Sequence, residues 1–325
     1  MNMLRARRFV GGLVSLGVVL VPALAIAQGG SSWTSVGSMP FERAEIALAE
    51  ANGKVYVLGG QMRAVDANSL NQEYDPATGT WRERALMPAV TSHAGAATVN
   101  GKIYVVGGFQ ANVHVGAVSN VFEYDPGTDA WRRVAPLPAP RGAPGVVALN
   151  GKIYAIGGRN PDRVTVNTNE VYDPATDAWM TAAPLPQARD HLGIAVLNGR
   201  IHVFGGRLNA TVDNTTRHDI YDPATDTWSD GAPLNIARSA GVVFLINGRI
   251  VWAGGECKDA QARTTFDDVE VFDPGANRWT VLSKMPIGRH AAAGVTVGDV
   301  GYVMGGANGC GTDRQTKDIS AFRMQ

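Results

Sequence analysis

Short apolar runs separated by turn signals fill most of this chain. Segments such as 103–106 are rich in β-branched and aromatic residues and end at Gly, Asn, Asp or Pro. Beyond Ala27, a helical period of apolar positions is never sustained long enough to predict a helix. Short apolar runs bounded by turn residues are typical of strands. The pattern therefore predicts an all-β fold.

The same short pattern recurs six times. Gly-Gly pairs begin at 59, 107, 157, 205, 254 and 305, at intervals of 48, 50, 48, 49 and 51. A tryptophan follows the same intervals, at Trp33, Trp81, Trp131, Trp179, Trp228 and Trp279. Two markers that stay in phase over six copies indicate a repeat architecture.

Each repeat contains the signals for four short strands. Asn-Gly pairs such as Asn100-Gly101 predict a tight hairpin between the first two strands, because both turn residues need a positive φ. Asp-Pro sequences such as Asp75-Pro76 predict the turn between the third and fourth strands, where the Asp side chain accepts backbone hydrogen bonds. We therefore expect these Asp residues to be structural.

Six four-stranded sheets can bury both of their faces by packing radially around an axis, which is a β-propeller. The Gly-Gly pair, the Tyr or Phe before Asp-Pro and the phased Trp resemble the kelch repeat over residues 31–325. The resemblance implies an all-β, six-bladed propeller of kelch repeats. Its blades are expected at about 40–87, 88–137, 138–185, 186–234, 235–285, and 286–325 together with 31–38.

The two chain ends are predicted to share one blade. Trp33 precedes the first repeat without strands before it, and 319–322 aligns with a third strand near the end of the chain. We expect 31–38 to add the outer strand of the sixth blade. Such an arrangement ties the N-terminal strand to the C-terminal blade.

The N-terminal segment, 1–27, reads as a signal peptide. Arg5, Arg7 and Arg8 precede an uncharged apolar run, and Ala25-Ile26-Ala27 supplies a small-x-small cleavage pattern. Cleavage after Ala27 would leave 28–325 as a single exported propeller, periplasmic or extracellular. A retained membrane anchor is the alternative, and the export route is open between the general and twin-arginine pathways.

Charge argues against a nucleic-acid partner. The whole chain has 29 basic and 29 acidic residues, and removing the three leader arginines leaves 26 against 29, or −3. Nucleic-acid-binding domains are usually basic. We expect a monomer with no membrane span in the mature chain, contacting a protein, peptide or carbohydrate ligand.

One position of the repeat holds arginine in five of six blades. This position precedes every Gly-Gly pair by the same interval, and only the second blade departs from arginine, with Thr91. These residues are expected to ring the mouth of the central channel and to bind ligand carboxylates, since guanidinium groups offer a fixed fork. A structural role on carbonyl groups of the neighbouring interblade loop is the alternative. The five are Arg43, Arg141, Arg189, Arg238 and Arg289.

Two residues further along, the chemistry varies from blade to blade. Glu45, His93 and His191 stand at positions that hold Ala in the other three blades. We expect them to face the channel as candidate catalytic acids or bases. The intervening Asp190 and His290 are expected to serve blade packing or interblade hydrogen bonds.

Metal and cofactor sites are not predicted. Cys and His pairs lack zinc-like spacing, and His114 and His218 have no partners at metal-ligand spacing along the chain. Nucleotide-binding and nucleophile-elbow motifs are also missing from the sequence. We therefore expect neither a metal nor a cofactor.

The two cysteines are predicted to form a disulfide. Cys257 and Cys310 each follow a Gly-Gly pair in adjacent blades, in loops on the same face. An exported location permits their oxidation. Two free or buried thiols are the alternative.

Three functions are compatible with a kelch propeller. The first is an exported binding or interaction module that contacts its ligand through the variable loops between second and third strands and through the channel mouth. The second is a periplasmic sugar mutarotase, because a signal peptide followed by six repeats resembles N-acetylneuraminate epimerase. The third is an oxidase similar to galactose oxidase, which would require copper.

Overall fold

The computed structural model describes residues 30–63, 65–111, 114–209, 213–258, 261–311 and 314–324. The predicted signal peptide, 1–27, lies outside these residues. Every regular element within the described ranges is a strand, and no helix there is long and apolar enough to cross a membrane. The predicted all-β class is therefore confirmed.

Twenty-four strands of the described residues form six four-stranded sheets, which we call blades 1 to 6 in chain order. Blade 1 contains β2 (Ala47–Ala51), β3 (Lys54–Leu58), β4 (Asn71–Asp75) and β5 (Thr80–Glu83). Blade 2 contains β6 (Gly95–Val99), β7 (Lys102–Val106), β8 (Val121–Asp125) and β9 (Ala130–Arg133). Blade 3 contains β10 (Gly145–Leu149), β11 (Lys152–Ile156), β12 (Asn169–Asp173) and β13 (Ala178–Thr181).

The second half of the ring repeats this order. Blade 4 contains β14 (Gly193–Leu197), β15 (Arg200–Phe204), β16 (His218–Asp222) and β17 (Thr227–Asp230). Blade 5 contains β18 (Val242–Ile246), β19 (Arg249–Ala253), β20 (Asp268–Asp273) and β21 (Arg278–Lys284). Blade 6 contains β22 (Ala293–Val297), β23 (Val300–Met304), β24 (Asp318–Met324) and the N-terminal β1 (Ser31–Ser38).

The N-terminal strand closes the ring in the way the sequence predicts. β1 pairs antiparallel with β24, so the sheet order of blade 6 is β1, β24, β23, β22. Trp33 stands opposite Phe322, with ring centroids 4.8 Å apart, and approaches Phe244 of blade 5 at 6.5 Å. Both ends of the chain therefore stabilise one blade and its contact with the preceding blade.

The hydrophobic core lies between neighbouring blades. Between blades 1 and 2, for example, buried Tyr56 and Leu58 pack with Ile103, Val105 and Tyr124. Equivalent clusters follow around the ring. Since an apolar side chain is stabilised by leaving water, each blade depends on its neighbours for its core.

The Gly-Gly pair marks the point where a blade meets the lead-in of the next one. Gly59 and Gly60 have φ of 57° and 96°, in the region that favours glycine. A Cβ on Gly59 would lie 2.5 Å from the carbonyl oxygen of Thr91, and one on Gly60 would lie 2.7 Å from that of Ala44. The repeat therefore keeps glycine because backbone passes too close for a side chain.

The phased tryptophans also have a structural role. The indole N–H of Trp131 donates to the carbonyl of Ala85 at 2.8 Å, and that of Trp179 donates to Ala135 at 2.8 Å. These carbonyls belong to the segments that connect one blade to the next. The tryptophan thus holds the connection from the previous blade against its own blade.

A disulfide joins the loops of blades 5 and 6. Cys257 follows β19 and Cys310 follows β23, with Cα atoms 4.9 Å apart and a separation of 53 along the chain. This pairing agrees with the prediction. Because the two loops lie at the end of the ring that carries the Gly-Gly pairs, the bond constrains that end.

Candidate functional site

The five repeat arginines do not line the channel mouth. Arg43, Arg141, Arg189, Arg238 and Arg289 are at most 4% exposed and lie inside their blades. Their guanidinium groups donate to main-chain carbonyls near the end of the second strand of the same blade, not of the neighbouring loop. In blade 4, Arg189 donates to Val203 O at 3.1 Å.

Each arginine also binds a polar side chain on the third strand of its blade or just before it. Arg189 contacts Asp219 at 2.7 Å, and Arg238 contacts Glu270 at 2.5 Å. Blade 2 has Thr91 in place of the arginine, and Phe122 then stands where the acceptor would be. The predicted ligand-binding ring of arginines is therefore corrected to a set of buried bonds within the blades.

The residues two positions further along do form a ring around the channel. All six have φ between 50° and 54°, although none is glycine. Glu45 N donates to Ala291 O at 2.7 Å, and His93 N donates to Glu45 O at 3.0 Å. Backbone in the left-handed region costs free energy for these residue types, and hydrogen bonds from blade to blade offset that cost. The ring consists of Glu45, His93, Ala143, His191, Ala240 and Ala291.

This ring encloses a small polar cavity at one end of the channel. The cavity measures about 160 Å³ and is lined by Glu45, His93 and His191 together with apolar residues. Further along the axis, the walls consist almost entirely of Ala, Val, Leu and Ile side chains from the inner strands. The structure thus brings the three predicted catalytic candidates together, at the end of the ring where the Gly-Gly pairs lie.

A third histidine joins the two from the ring. His114 comes from the loop between β7 and β8, and its ring centroid lies 5.0 Å from that of His93 and 5.1 Å from that of His191. One nitrogen from each ring can be chosen so that all three lie within 4.8 Å of one another. We call His93, His114 and His191 the histidine cluster.

Oxygen atoms hold the two ring histidines in place. His191 Nδ1 lies 2.6 Å from Asp190 Oδ1, and His93 Nδ1 lies 3.2 Å from Ser92 Oγ. On the other side, His93 Nε2 lies 3.2 Å from Glu45 Oε1. The site therefore contains two carboxylate–imidazole pairs, Glu45 with His93 and Asp190 with His191.

Arg207 connects these groups. Its Nε donates to Asp190 Oδ1 at 2.8 Å, and its Nη1 donates to Glu256 Oε2 at 2.7 Å. Its Nη2 lies 3.0 Å from His114 Nε2 and 3.2 Å from His191 Nε2. Because Arg207 is only 2% exposed, one buried guanidinium fixes side chains from blades 2, 4 and 5.

Burial and charge determine the protonation of the cluster. Burial, with Arg207 and the other imidazoles nearby, lowers the pKa of His114 to about 2. Burial and Arg207 also lower the pKa of His191. Burial alone would raise the pKa of Glu45, but its interactions with the surrounding histidines, above all His93, hold it well below its usual range. At neutral pH, Glu45 is a carboxylate and His114 is neutral.

The intervening residues follow the expectation only in part. Asp190 does form an interblade bond, accepting from Arg159 of blade 3 at 2.9 Å. The same carboxylate also positions His191, so it belongs to the site. His290 bonds instead to Gly309 O in a loop of its own blade, at 2.8 Å.

Sequence reasoning missed the residues that complete the site. Arg207 and Glu256 directly follow a Gly-Gly pair, at a position that varies strongly among the blades. This variation at one fixed position of the repeat was the signal in the sequence that could have identified Arg207 and Glu256. His114 carried no such signal because it lies in a loop with no counterpart between blades. The position after the pair holds Gln61, Phe109, Arg159, Arg207, Glu256 and Ala307.

A larger cleft opens on the same face between loops of blades 1, 5 and 6. It has a volume of about 760 Å³ and is lined by both signs of charge. Its arginines are exposed, whereas the arginines inside the blades are buried. The charged residues of this cleft are Glu42, Arg63, Asp66, Arg263 and Arg314.

The class that fold and site define is a six-bladed β-propeller with a polar mouth at one end of its channel. The family model of the KLHDC2/KLHL20/DRC7 Kelch-repeats domain matches residues 29–206, and the Kelch motif matches 188–235 and 237–286. The chain belongs to the kelch-repeat family. The predicted resemblance is thereby confirmed.

Comparison with known proteins adds the fold of a relative. The solved structure of YjhT superposes with a TM-score of 0.76 at 18% sequence identity, covering 88% of this chain and 96% of that chain. No curated protein matches the sequence. At this identity, the likeness to YjhT concerns the fold alone.

Proposed function

We propose that this protein is an exported binding module that takes a polar ligand, a carbohydrate or a peptide, on the face that carries the channel mouth. One observation carries the proposal. The polar side chains that differ from blade to blade converge at one end of the channel, while the walls beyond them are apolar. Side chains needed only for the repeat would instead be alike in all blades.

The shape of this face fits a polar ligand of moderate size. The cleft between blades 1, 5 and 6 has a volume of about 760 Å³, within the range of roughly 300–1,000 Å³ that small-molecule sites occupy. Arg63 and Arg314 offer donors, and Glu42 and Asp66 offer acceptors. Hydroxyl groups of a sugar and main-chain groups of a peptide each need both kinds of partner.

Export is supported by two independent features. The N-terminal sequence has the three parts of a signal peptide. The disulfide between Cys257 and Cys310 is of the kind that persists in oxidising compartments. We therefore place the mature protein outside the cytoplasm, cleaved after Ala27.

A ligand screen tests the binding function. The full chain is expressed, and the protein is purified in the form in which the cells release it. Its thermal unfolding is then measured in the presence of neutral sugars, N-acetylneuraminate, and acidic and neutral peptides. A ligand at 100 times its Kd adds about 2.7 kcal/mol to the free energy of unfolding. For a chain of this size, that corresponds to a Tm increase of several degrees.

Two variants on the proposed binding face and one control variant locate the ligand. Arg63→Ala in the cleft is expected to weaken binding of a ligand found in the screen, and Glu45→Gln is expected to do so at the mouth. Arg278→Ala is the control, because Arg278 is exposed beside the turn between β20 and β21, at the opposite end of the ring. A ligand lost in Arg278→Ala but retained in both other variants would contradict the proposal.

The two carboxylate–imidazole pairs favour a second candidate, a sugar mutarotase resembling N-acetylneuraminate epimerase. Ring opening at an anomeric carbon needs one group to accept a proton and another to donate one. Glu45 with His93 and Asp190 with His191 place such groups at the same cavity. The test is the rate of anomer exchange of N-acetylneuraminate followed by NMR, with Glu45→Gln expected to slow it. An unaltered uncatalysed rate with folded protein would exclude this candidate.

A further inference from the structure

The histidine cluster brings together three imidazoles from distant parts of the chain. His93 and His191 lie on blades 2 and 4, and His114 reaches them from a loop. The three rings approach one another edge to face, with centroid distances of 5.0, 5.1 and 5.4 Å. Apolar packing or a single histidine–carboxylate pair would not require three convergent ring nitrogens.

The hydrogen bonds around the cluster select the nitrogens that converge. His191 Nδ1 is held by Asp190 Oδ1 at 2.6 Å, and His93 Nδ1 is held by Ser92 Oγ at 3.2 Å. The two oxygens come from the residue just before each histidine. The Asp190 carboxylate can only accept a hydrogen bond, so it fixes the tautomer of His191 and leaves Nε2 as a ligand, as in metal-binding histidines. The Ser92 hydroxyl can donate to His93 Nδ1 as well as accept from it, and a metal ion would take the place of the His93 Nε2 proton that faces Glu45 Oε1.

From this geometry we infer that His93, His114 and His191 bind a divalent transition-metal ion such as Zn²⁺ through Nε2, with Glu45 as a fourth ligand. Glu45 Oε1 already lies 3.2 Å from His93 Nε2. Imidazole nitrogen and carboxylate oxygen are accepted zinc ligands, and four-coordinate sites are typical. Tetrahedral Zn–N bonds of about 2.1 Å require nitrogens about 3.4 Å apart. Since one nitrogen of each ring already lies within 4.8 Å of the others, movements of the side chains alone would complete the site.

A positive group already lies at the position assigned to the ion. Arg207 Nη2 points at the Nε2 atoms of His114 and His191, from 3.0 and 3.2 Å. A metal ion would displace the guanidinium group from these two nitrogens, and because that group is one rigid plane, its bonds to Asp190 and Glu256 would shift with it. Three carboxylates (Glu45, Asp190, Glu256) face two guanidinium groups (Arg159, Arg207), so the fixed charges leave a net −1 that favours a cation.

This inference goes beyond the proposed binding function and does not depend on it. Metal binding is measured without sugar or peptide. The ligand screen is carried out twice, once with a metal chelator present and once with Zn²⁺ present. A failure of one experiment therefore leaves the outcome of the other unchanged.

Titration calorimetry with Zn²⁺ tests the site. The purified protein, stripped with a chelator and dialysed, is expected to bind one Zn²⁺ per chain. His114→Ala is expected to weaken binding at least about 100-fold, because one of three imidazole ligands is lost. Ser92→Ala removes only the oxygen behind His93 and is expected to weaken binding about tenfold. His202→Gln is the matched control, since His202 is a buried histidine of β15 bonded to His218, and the affinity of this variant for Zn²⁺ should equal that of the unmodified protein.

Arg207→Met supplies a test that a purely structural cluster would fail. Removing the competing guanidinium is expected to tighten Zn²⁺ binding about tenfold, because the ion no longer displaces a positive group. Melting curves of every variant establish that it is folded, and His93→Ala replaces His114→Ala if the latter is not. The inference is overturned if folded protein shows no saturable binding below about 1 mM Zn²⁺, if His114→Ala and His93→Ala bind as tightly as the unmodified protein, or if Arg207→Met binds more weakly.

Discussion

The arginine layer inside the blades and the ring around the channel lie two residues apart on the same lead-in to the inner strand, yet they differ in how far they repeat and in which groups they contact. The arginine position repeats in five blades, is buried, and bonds within its own blade. The ring position varies, faces the channel, and gathers side chains from different blades. In this repeat protein, repetition therefore marks a structural role, and departure from repetition marks the candidate site.

Blade 2 shows how the two positions are coupled. It is the blade without the arginine, and its Thr91 hydroxyl bonds to Gly107 O at 3.2 Å. The acceptor position on its third strand is filled by Phe122, which is 3% exposed. Blade 2 can therefore be compared directly with the other five blades, because both partners of their buried arginine bond are replaced together in it.

Removing a buried arginine is expected to have the largest effect. Arg238→Ala leaves Glu270, which is fully buried, without its partner, and should lower the free energy of unfolding by about 3–5 kcal/mol. Arg289→Ala is the comparison, because its side-chain partner is the neutral Ser320, and it should cost about 1–3 kcal/mol. Urea denaturation measures both. Equal losses would contradict the role given to the carboxylate.

Acid is expected to act on two buried histidines outside the site as well as on those within it. His202 Nδ1 lies 2.9 Å from His218 Nε2 between blades 4 and 5, and burial lowers the pKa of His202 to about 3 and that of His218 to about 4. Unfolded histidine binds its proton near pH 6.5, so the unfolded state binds more protons below that pH. Each of the two should then lower the free energy of unfolding by on the order of 3 kcal/mol between pH 6.5 and 4.

Chemical denaturation across this pH range measures the effect. The double variant His202→Gln with His218→Asn keeps polar groups but cannot titrate there. It should show a flatter dependence than the unmodified protein, with the contribution of His114 and His191 remaining. An unchanged slope would mean that other groups govern the acid sensitivity.

Restoring the arginine in blade 2 tests the coupling from the opposite direction. Thr91→Arg places a guanidinium beside the apolar Phe122 and should destabilise the protein by about 2 kcal/mol, because the charge is buried without an acceptor. Adding Phe122→Glu should recover most of this loss. A double variant no more stable than the single one would show that blade 2 differs from the others for a further reason.

The smallest stability effect is expected at the ring. Glu45→Gln keeps the size of the side chain, and it should change the free energy of unfolding by less than about 1 kcal/mol. Its effect should appear instead in ligand or Zn²⁺ affinity. A loss of stability as large as that of Arg238→Ala would remove the distinction between the two positions.

Much of the fold followed from local signals in the sequence. The Asn-Gly pairs do adopt positive φ at both residues, as at Asn100 and Gly101, because few other residues tolerate that turn. The phase of glycine and tryptophan gave the number of blades, and the position of Trp33 gave the closure by β1. The cysteine pairing also followed, since two loops after equivalent Gly-Gly pairs of adjacent blades lie side by side.

The site was only partly predictable. Glu45, His93 and His191 were found because they depart from the repeat. The spacing of the repeat, however, does not determine that the arginine side chains lie inside their own blades. His114 and Arg207 were missed, since nothing in their spacing along the chain links them to His93 or His191. The absence of metal-ligand spacing is informative for a single loop or helix, whereas a ring of blades brings together side chains as distant along the chain as those of His114 and Arg207.

The sequence by itself determined the number of blades, the order of strands, the turns and the way the ring closes, because each depends on contacts within one repeat or between equivalent positions of adjacent repeats. Only the tertiary structure decided which polar residues meet. Closing the ring brings His93, His114, His191 and Arg207 within hydrogen-bond or ring contact, and burial there lowers the pKa of His114 and His191. Distances across the channel depend on all six blades at once, and no segment of the chain contains that information alone.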